Sequence, residues 1–429
     1  MKKFMLFISE KVAPVLQKVA ENAYVSGIQS AIIKTMPMIL VSSLITIYNY
    51  VIREYITMLP DLGVLSTYTF GLMSLFVSFL VPYYVCERKG NTKGKFVAAM
   101  TGIALFMIFV NPTIDDAGRY SYDFSCFGAG GMFVAIISGI FTSFVFSIFS
   151  SVSVFSEDNA LPDFCKEWFD TLFPVTLTIF TGWLLVIQLN IDLYNVISNI
   201  FMPFVNITNS IWGCIFMELI MTIFYSMGIS GWVFTPVQAT MCAVSLAANA
   251  AAIAGGGAAE YVFTDMWRNT YVSIGGRGVT FMLVIYCCLS RSKKLKALGK
   301  TSFIPNLMNI NEPIVFGTVA WNPILMIPMW ICNLLAVIIS YGALKTGLVA
   351  IPYENFALWY LPNIIAAIFV SKSISGVILV AIIIGISALI WYPFFKIYEK
   401  QCLDEELELD EKNRLEQSED YLLNETSIE

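Results

Sequence analysis

Between Met308 and Pro323 the chain reads Met-Asn-Ile-Asn-Glu-Pro-Ile-Val-Phe-Gly-Thr-Val-Ala-Trp-Asn-Pro, which sets Glu312 among Asn309, Asn311 and Asn322 in an otherwise apolar segment. A carboxylate accepts strong hydrogen bonds, and each gains strength where water is scarce. Glu312 is one of four charged residues between Ser302 and Trp391, the others being Lys345, Glu354 and Lys372. An acid at membrane depth marks a functional site by default; the alternative is a loop glutamate at the level of the lipid headgroups. Glu218 is a second acid in an apolar run and reads two ways, as a functional group or as a carboxylate turned toward a helix end or a polar neighbour.

The elements that hold these groups follow from composition. Hydrophobic residues make up 57% of the 429, charged residues 13%, and the mean hydropathy is +0.73, which describes a polytopic membrane protein. Pro313 and Pro323 lack an amide donor and disfavour helix in the residue before them, so helix should break near Glu312 and again near Asn322. Broken backbone at that depth survives only where it is buried in protein or lines a watery cavity.

Several chemistries are excluded. The chain has no histidine, which removes Ser-His-Asp and Cys-His catalysis and any His-ligated metal. Its nine cysteines, among them Cys86, Cys214 and Cys332, form no CxxC pair and read as small apolar residues, so no metal and no cofactor is expected. Gly255-Gly-Gly257 is not followed by Gly-Lys-Ser/Thr, so it is no nucleotide cradle. The net charge of −6 is carried by the tail, where Asp404–Glu429 holds eleven acids and two bases; the remainder is about +3, no basic field for nucleic acid.

Along the chain, residues 4–25 suggest an amphipathic helix on the cytoplasmic surface, and residues 1–27 are assigned to it; its apolar run is too short for a signal peptide. Spans are expected at 28–51, 65–86, 96–110, 128–150, 172–190 and 209–227. The basic loop Glu87–Lys95 and the run Arg291–Lys296 mark the cytoplasmic side, with the acidic loop at 115–123 outside and the loop 156–163 back inside. Gly128-Ala-Gly-Gly131 offers close helix packing. Residues 191–207 form a linker or interfacial helix. Beyond Gly228 the segments are short or broken, including Val279–Leu289, 324–343 and a last span at 376–395, the signature of re-entrant hairpins and discontinuous helices around a midplane site. Residues 396–429 are a solvated cytoplasmic tail, partly helical or disordered.

From about residue 28 to 395 the chain resembles the membrane-embedded IIC components of bacterial sugar phosphotransferase systems, in particular the lactose/diacetylchitobiose/cellobiose group. The most specific piece is Asn311-Glu-Pro-Ile-Val-Phe-Gly317 with Asn322-Pro323 downstream. Weaker matches are Met36-Pro37, Gly71–Leu75, Leu161-Pro-Asp163, Gly-Gly-x-Gly at 275–278, and Asn355-Phe-Ala-Leu-Trp359 with Pro362. The resemblance implies an all-α bundle of about ten transmembrane helices plus re-entrant hairpins and interfacial amphipathic helices. It implies a homodimer in the bacterial plasma membrane with both termini cytoplasmic, in which residues 28–190 dimerise and 208–395 cradle a small sugar, a disaccharide by analogy with the group. A separate soluble IIB protein, served by IIA, would phosphorylate the sugar, so the chain needs no self-contained catalytic site.

Carried over residue by residue, Glu312 with Asn311 and Gly276 would bind the sugar, and Trp359 would either stack on a pyranose ring or act as an interfacial anchor. Two positions depart from the family. Its Gly-Ile-His-Gly is Gly228-Ile-Ser-Gly231 here, and serine donates and accepts hydrogen bonds without holding a proton near neutrality. The usually small residue of Gly-Gly-x-Gly is Arg277, which could pair with Glu312, attract a phosphate or fill the cavity. The alternative function is therefore a IIC-like protein uncoupled from phosphotransfer that acts as a sensor, receptor or carrier of another ligand.

Overall fold

The computed structural model describes residues 18 and 21–426 apart from 54, 55, 57, 93, 151–162, 230–233 and 357. The expected helix over residues 4–25 falls almost wholly outside these, as do Ser230 and all of the 156–163 loop but Asp163. Among the described residues the fold is helical, with one small antiparallel ribbon, β1 (Thr113–Ile114) on β2 (Tyr120–Ser121). Seven helices among the described residues are long and apolar enough to cross a membrane, eight if one bent pair counts as a single span, so the chain is a multi-pass membrane protein.

The first span is broken. Helix α1 (Ala23–Lys34) ends at Thr35, whose hydroxyl donates to the Ile32 carbonyl, and α2 (Met36–Ile47) starts afresh with Pro37 in its first turn. Proline fits there because first-turn amides have no intrahelical partner. Helices α3 (Met73–Arg88), α4 (Lys95–Phe109) and α5 (Met132–Phe149) then pack tightly. A Cβ added at Gly102 would strike the Ser78 carbonyl and Pro82 of α3, and one at Gly139 would strike Val81, so these glycines set the crossings. The Gly128–Gly131 patch has another role: it forms a tight turn ahead of α5, and the Gly128 carbonyl accepts a short hydrogen bond from Ser74.

After α6 (Asp163–Trp183), α7 (Leu193–Thr208) meets α8 (Ile211–Ser226) at 82°. Asn209 sits at that bend. Its amide donates to the Val205 carbonyl and to Ser245 Oγ, at 2.8 and 2.7 Å, and its oxygen accepts from Phe263 N, so one side chain stitches three elements. Asn249, on α9 (Thr235–Ala254), does likewise for the turn at Glu260–Tyr261 and for the Pro352 carbonyl. An asparagine carries two donors and an acceptor, so it can satisfy interrupted backbone where water is absent.

The next pair, α10 (Phe281–Cys288) and α11 (Lys293–Leu307), packs as a hairpin. Eight residues of α10 rise only about 12 Å, too little to cross a bilayer core of about 30 Å. Downstream of α11 helix is interrupted at Met308–Asn311 and again at Ala320–Asn322, where Asn322 caps α12 (Pro323–Lys345). Both breaks lie where the prolines placed them. Helix α13 (Asn363–Ser371) is as short as α10, and Lys372 turns the chain with φ 52° into α14 (Ile374–Thr426). This last helix runs through the expected span end near 395 and on into the acidic tail without interruption.

Candidate functional site

Two interruptions meet inside the bundle. One is the turn Ser273–Thr280, in which Gly275, Gly276 and Gly278 all have positive φ; the other is Met308–Asn311, in which Asn309 has φ 62°. Left-handed backbone suits glycine and is tolerated by asparagine. At Gly276 the need is also steric, because a Cβ there would collide with the Asn311 side chain. Gly276→Ala is therefore expected to cost about 1–3 kcal/mol of stability and to displace the Asn311 loop, which thermal unfolding of the purified variant checks.

Asparagines close these breaks against each other. Asn306 donates to the Gly275 carbonyl and to Thr280 Oγ1; Asn311 donates to the Arg277 carbonyl and Thr280 Oγ1, at 2.8 and 2.9 Å. Asn309 accepts from Gly275 N and donates to the Trp359 and Leu361 carbonyls, while Asn363 accepts from Gly275 N and donates to the Asn269 carbonyl. Tyr225 of α8 donates to Asn311 Oδ1 at 2.9 Å. Both ends of the Asn311 side chain are thus engaged within the protein, its amide on the Arg277 carbonyl and Thr280 and its oxygen on the Tyr225 hydroxyl.

These turns form one wall of a cavity of about 400 Å³. Ile32, Met36 and Ile39 of the broken first span form another wall, and Glu312, Asn311, Gly276, Arg277 and Trp359 all line it. The structure brings together five of the six expected site residues; Ser230 lies outside the described residues. Glu312 is exposed to the cavity and, among the described residues, has no ion-pair or hydrogen-bond partner for its carboxylate. Trp359 is half-buried, with its carbonyl fixed by Asn309.

Arg277 does not reach for Glu312. Its Nη1 lies 3.4 Å from Glu218 Oε2, and the other oxygen of Glu218 accepts a short bond from Arg268 Nε. Arg268 Nη1 in turn bonds Asp265 at 3.2 Å. Glu218 is fully buried and Arg268 nearly so, so the four residues form a neutral chain, two carboxylates against two guanidiniums, at the cavity's edge. Buried charge survives only with such pairing. Sequence reasoning flagged Glu218 and Arg277 but missed Asp265 and Arg268. The rule that flagged Glu218, charge within apolar sequence, would have found them in Thr264–Asn269.

A largely apolar cavity that carries a cluster of polar and charged groups at its interrupted helices, enclosed in a bundle of apolar spans, defines a membrane carrier for a small solute. The comparisons narrow this class. The family described as "Phosphotransferase system, EIIC" matches residues 29–333, and the chain belongs to that family. The chain is 28% identical to the lichenan permease IIC component of Bacillus subtilis over 96% of its own length and 97% of that protein's. It is equally 28% identical to the cellobiose-specific EIIC component of Geobacillus stearothermophilus, over 95% and 96%. Among solved structures it is similar to ChbC, the IIC component of an N,N'-diacetylchitobiose-specific phosphotransferase system. That match has a TM-score of 0.84 and 25% identity, over 93% of this chain and 99% of ChbC.

Proposed function

We propose that this chain binds a small sugar, a disaccharide by preference, in the cavity at Glu312 and carries it across the membrane to a IIB partner that phosphorylates it. The observation that carries this reading is the Glu312 carboxylate, presented to a cavity of about 400 Å³ with its lone pairs uncommitted. Small-ligand sites span about 300–1,000 Å³. The carboxylate accepts sugar hydroxyls and Trp359 offers a ring face. Arg277, its charge balanced by Glu218, serves as a hydrogen-bond donor to the sugar and not as a phosphate anchor. The names of the relatives, which specify lichenan, cellobiose, diacetylchitobiose, lactose and an oligo-beta-mannoside, favour a disaccharide or short oligosaccharide.

The architecture we assign has ten spans, with the α10–α11 pair as one re-entrant hairpin, residues 28–190 forming the dimerisation half and 191–207 the linker to the sugar half. Exposed Phe173, Leu177 and Phe180 on α6 give that first half an apolar face for lipid or a second copy. The basic stretches at 87–95 and 291–296 support cytoplasmic termini. The test is a thermal-shift screen of the purified protein with cellobiose, lactose, N,N'-diacetylchitobiose and their monomers, since a ligand of the native state raises the unfolding midpoint. Stabilisation by a disaccharide is expected; a panel without any stabilisation overturns the sugar assignment.

The absence of histidine favours one second reading, a carrier uncoupled from phosphotransfer. Under the first reading wild-type protein with IIB and IIA yields phosphorylated sugar; under the second only Ser230→His with Arg277→Ser gains it. Labelled sugar phosphate in reconstituted vesicles distinguishes them.

A further inference from the structure

The acidic stretch after the last span is not absorbed by the transport reading, yet two of its carboxylates turn back onto the hairpin. Glu399 Oε1 accepts from Ser290 Oγ and Arg291 N at 2.8 and 2.9 Å. One and a half to two turns further along α14, Glu406 Oε1 accepts from Ser292 Oγ and Lys294 N, and its Oε2 accepts from Lys293 N. The first amides of α11 have no partner within their own helix, and an anion is favoured there. Here that anion comes from another helix more than a hundred residues away in sequence.

The contacts run the length of the hairpin. Tyr286 of α10 donates to the Ala388 carbonyl, and buried Trp391 donates to the Val279 carbonyl, both at 2.9 Å, so α14 is joined to the hairpin from its tip to the glycine turn. At the far end of α11, about 22 Å from the clamp, Asn306 holds the glycine turn and the chain enters the Glu312 loop. Both cavity turns are therefore the roots of one hairpin whose tip α14 grips.

We propose that Glu399 and Glu406 are positioning residues for the binding cavity: by fixing the hairpin tip to α14 they hold the Ser273–Thr280 and Met308–Glu312 turns in register. Its value for transport rests on the sugar-site reading above, but the geometry is tested without any sugar. Hydrogen–deuterium exchange is measured on the full chain in detergent for wild type, E399A/E406A and E399Q/E406Q. Glutamine retains a carbonyl acceptor for Ser290 Oγ and Arg291 N and for Ser292 Oγ and Lys294 N.

The expected result for the alanine pair is exchange about tenfold faster in peptides covering 273–280 and 308–315, the change that losing one charge-assisted hydrogen bond makes in an opening equilibrium. Helix α3 should be unchanged, and the glutamine pair, which keeps one neutral acceptor at each position, should restore part of the protection. Faster exchange confined to 289–295 reduces the clamp to a local cap and overturns the proposal. So does an increase that includes α3, a complete absence of change, or failure of glutamine to rescue. Should the alanine pair not fold, E406A alone is read by the same criteria.

Discussion

Glu218→Ala is expected to cost about 3–5 kcal/mol of stability, the largest loss from any single substitution near the cavity. The variant leaves Arg268 and Arg277 facing each other inside protein without the carboxylate they share. Arg268 keeps Asp265, whereas Arg277 has no other ion-pair partner among the described residues. Removing the second guanidinium should therefore relieve part of the damage, and Glu218→Ala/Arg277→Ser should be more stable than Glu218→Ala alone. Glu218→Gln keeps an acceptor for one arginine and should fall between alanine and wild type. The measurement is the thermal midpoint of purified protein followed by size-exclusion chromatography; an unchanged midpoint in Glu218→Ala would mean that water already solvates the cluster.

That cluster also shows where sequence reading ends. Glu312 was legible because a carboxylate beside a proline in apolar sequence has few bland explanations, and the prolines located both helix breaks. What closes those breaks was not legible. Asn306, Asn309, Asn311 and Asn363 bond across separations of up to 94 residues, and no local pattern pairs them. The same holds for Arg277, whose ion-pair partner proved to be Glu218, 59 residues earlier, and not Glu312. Pro37 could have been read as Pro313 was, as a break within the first span. The tail was underestimated for a different reason. Beyond Lys396 it is rich in Glu and Leu, strong helix formers with no glycine or proline to stop them, so α14 continues to Thr426.

Glu312→Gln should do the opposite of Glu218→Ala, removing function while leaving the fold. The Glu312 side chain holds no backbone and pairs with no cation among the described residues, and glutamine fills the same volume, so the thermal midpoint should stay at the wild-type value. A sugar loses more. Each hydroxyl that donated to a charged oxygen now meets a neutral carbonyl or a competing NH2 donor, a loss of about 1.5–3 kcal/mol per bond, or roughly 10- to 150-fold in affinity. Two such bonds would carry the loss beyond 100-fold even at the lower figure, since contributions of this size multiply as affinities. Uptake of labelled cellobiose and N,N'-diacetylchitobiose by cells expressing either form measures this, with the midpoint of the same purified proteins as control. Wild-type uptake in Glu312→Gln would remove the carboxylate from the mechanism, and Arg277 with Trp359 would then have to bind the sugar unaided. Lost uptake with a lowered midpoint would instead make Glu312 a structural residue, against its exposure to the cavity. Only lost uptake at an unchanged midpoint fits a carboxylate kept uncommitted for its ligand, while its neighbour Glu218 is consumed in neutralising the arginines.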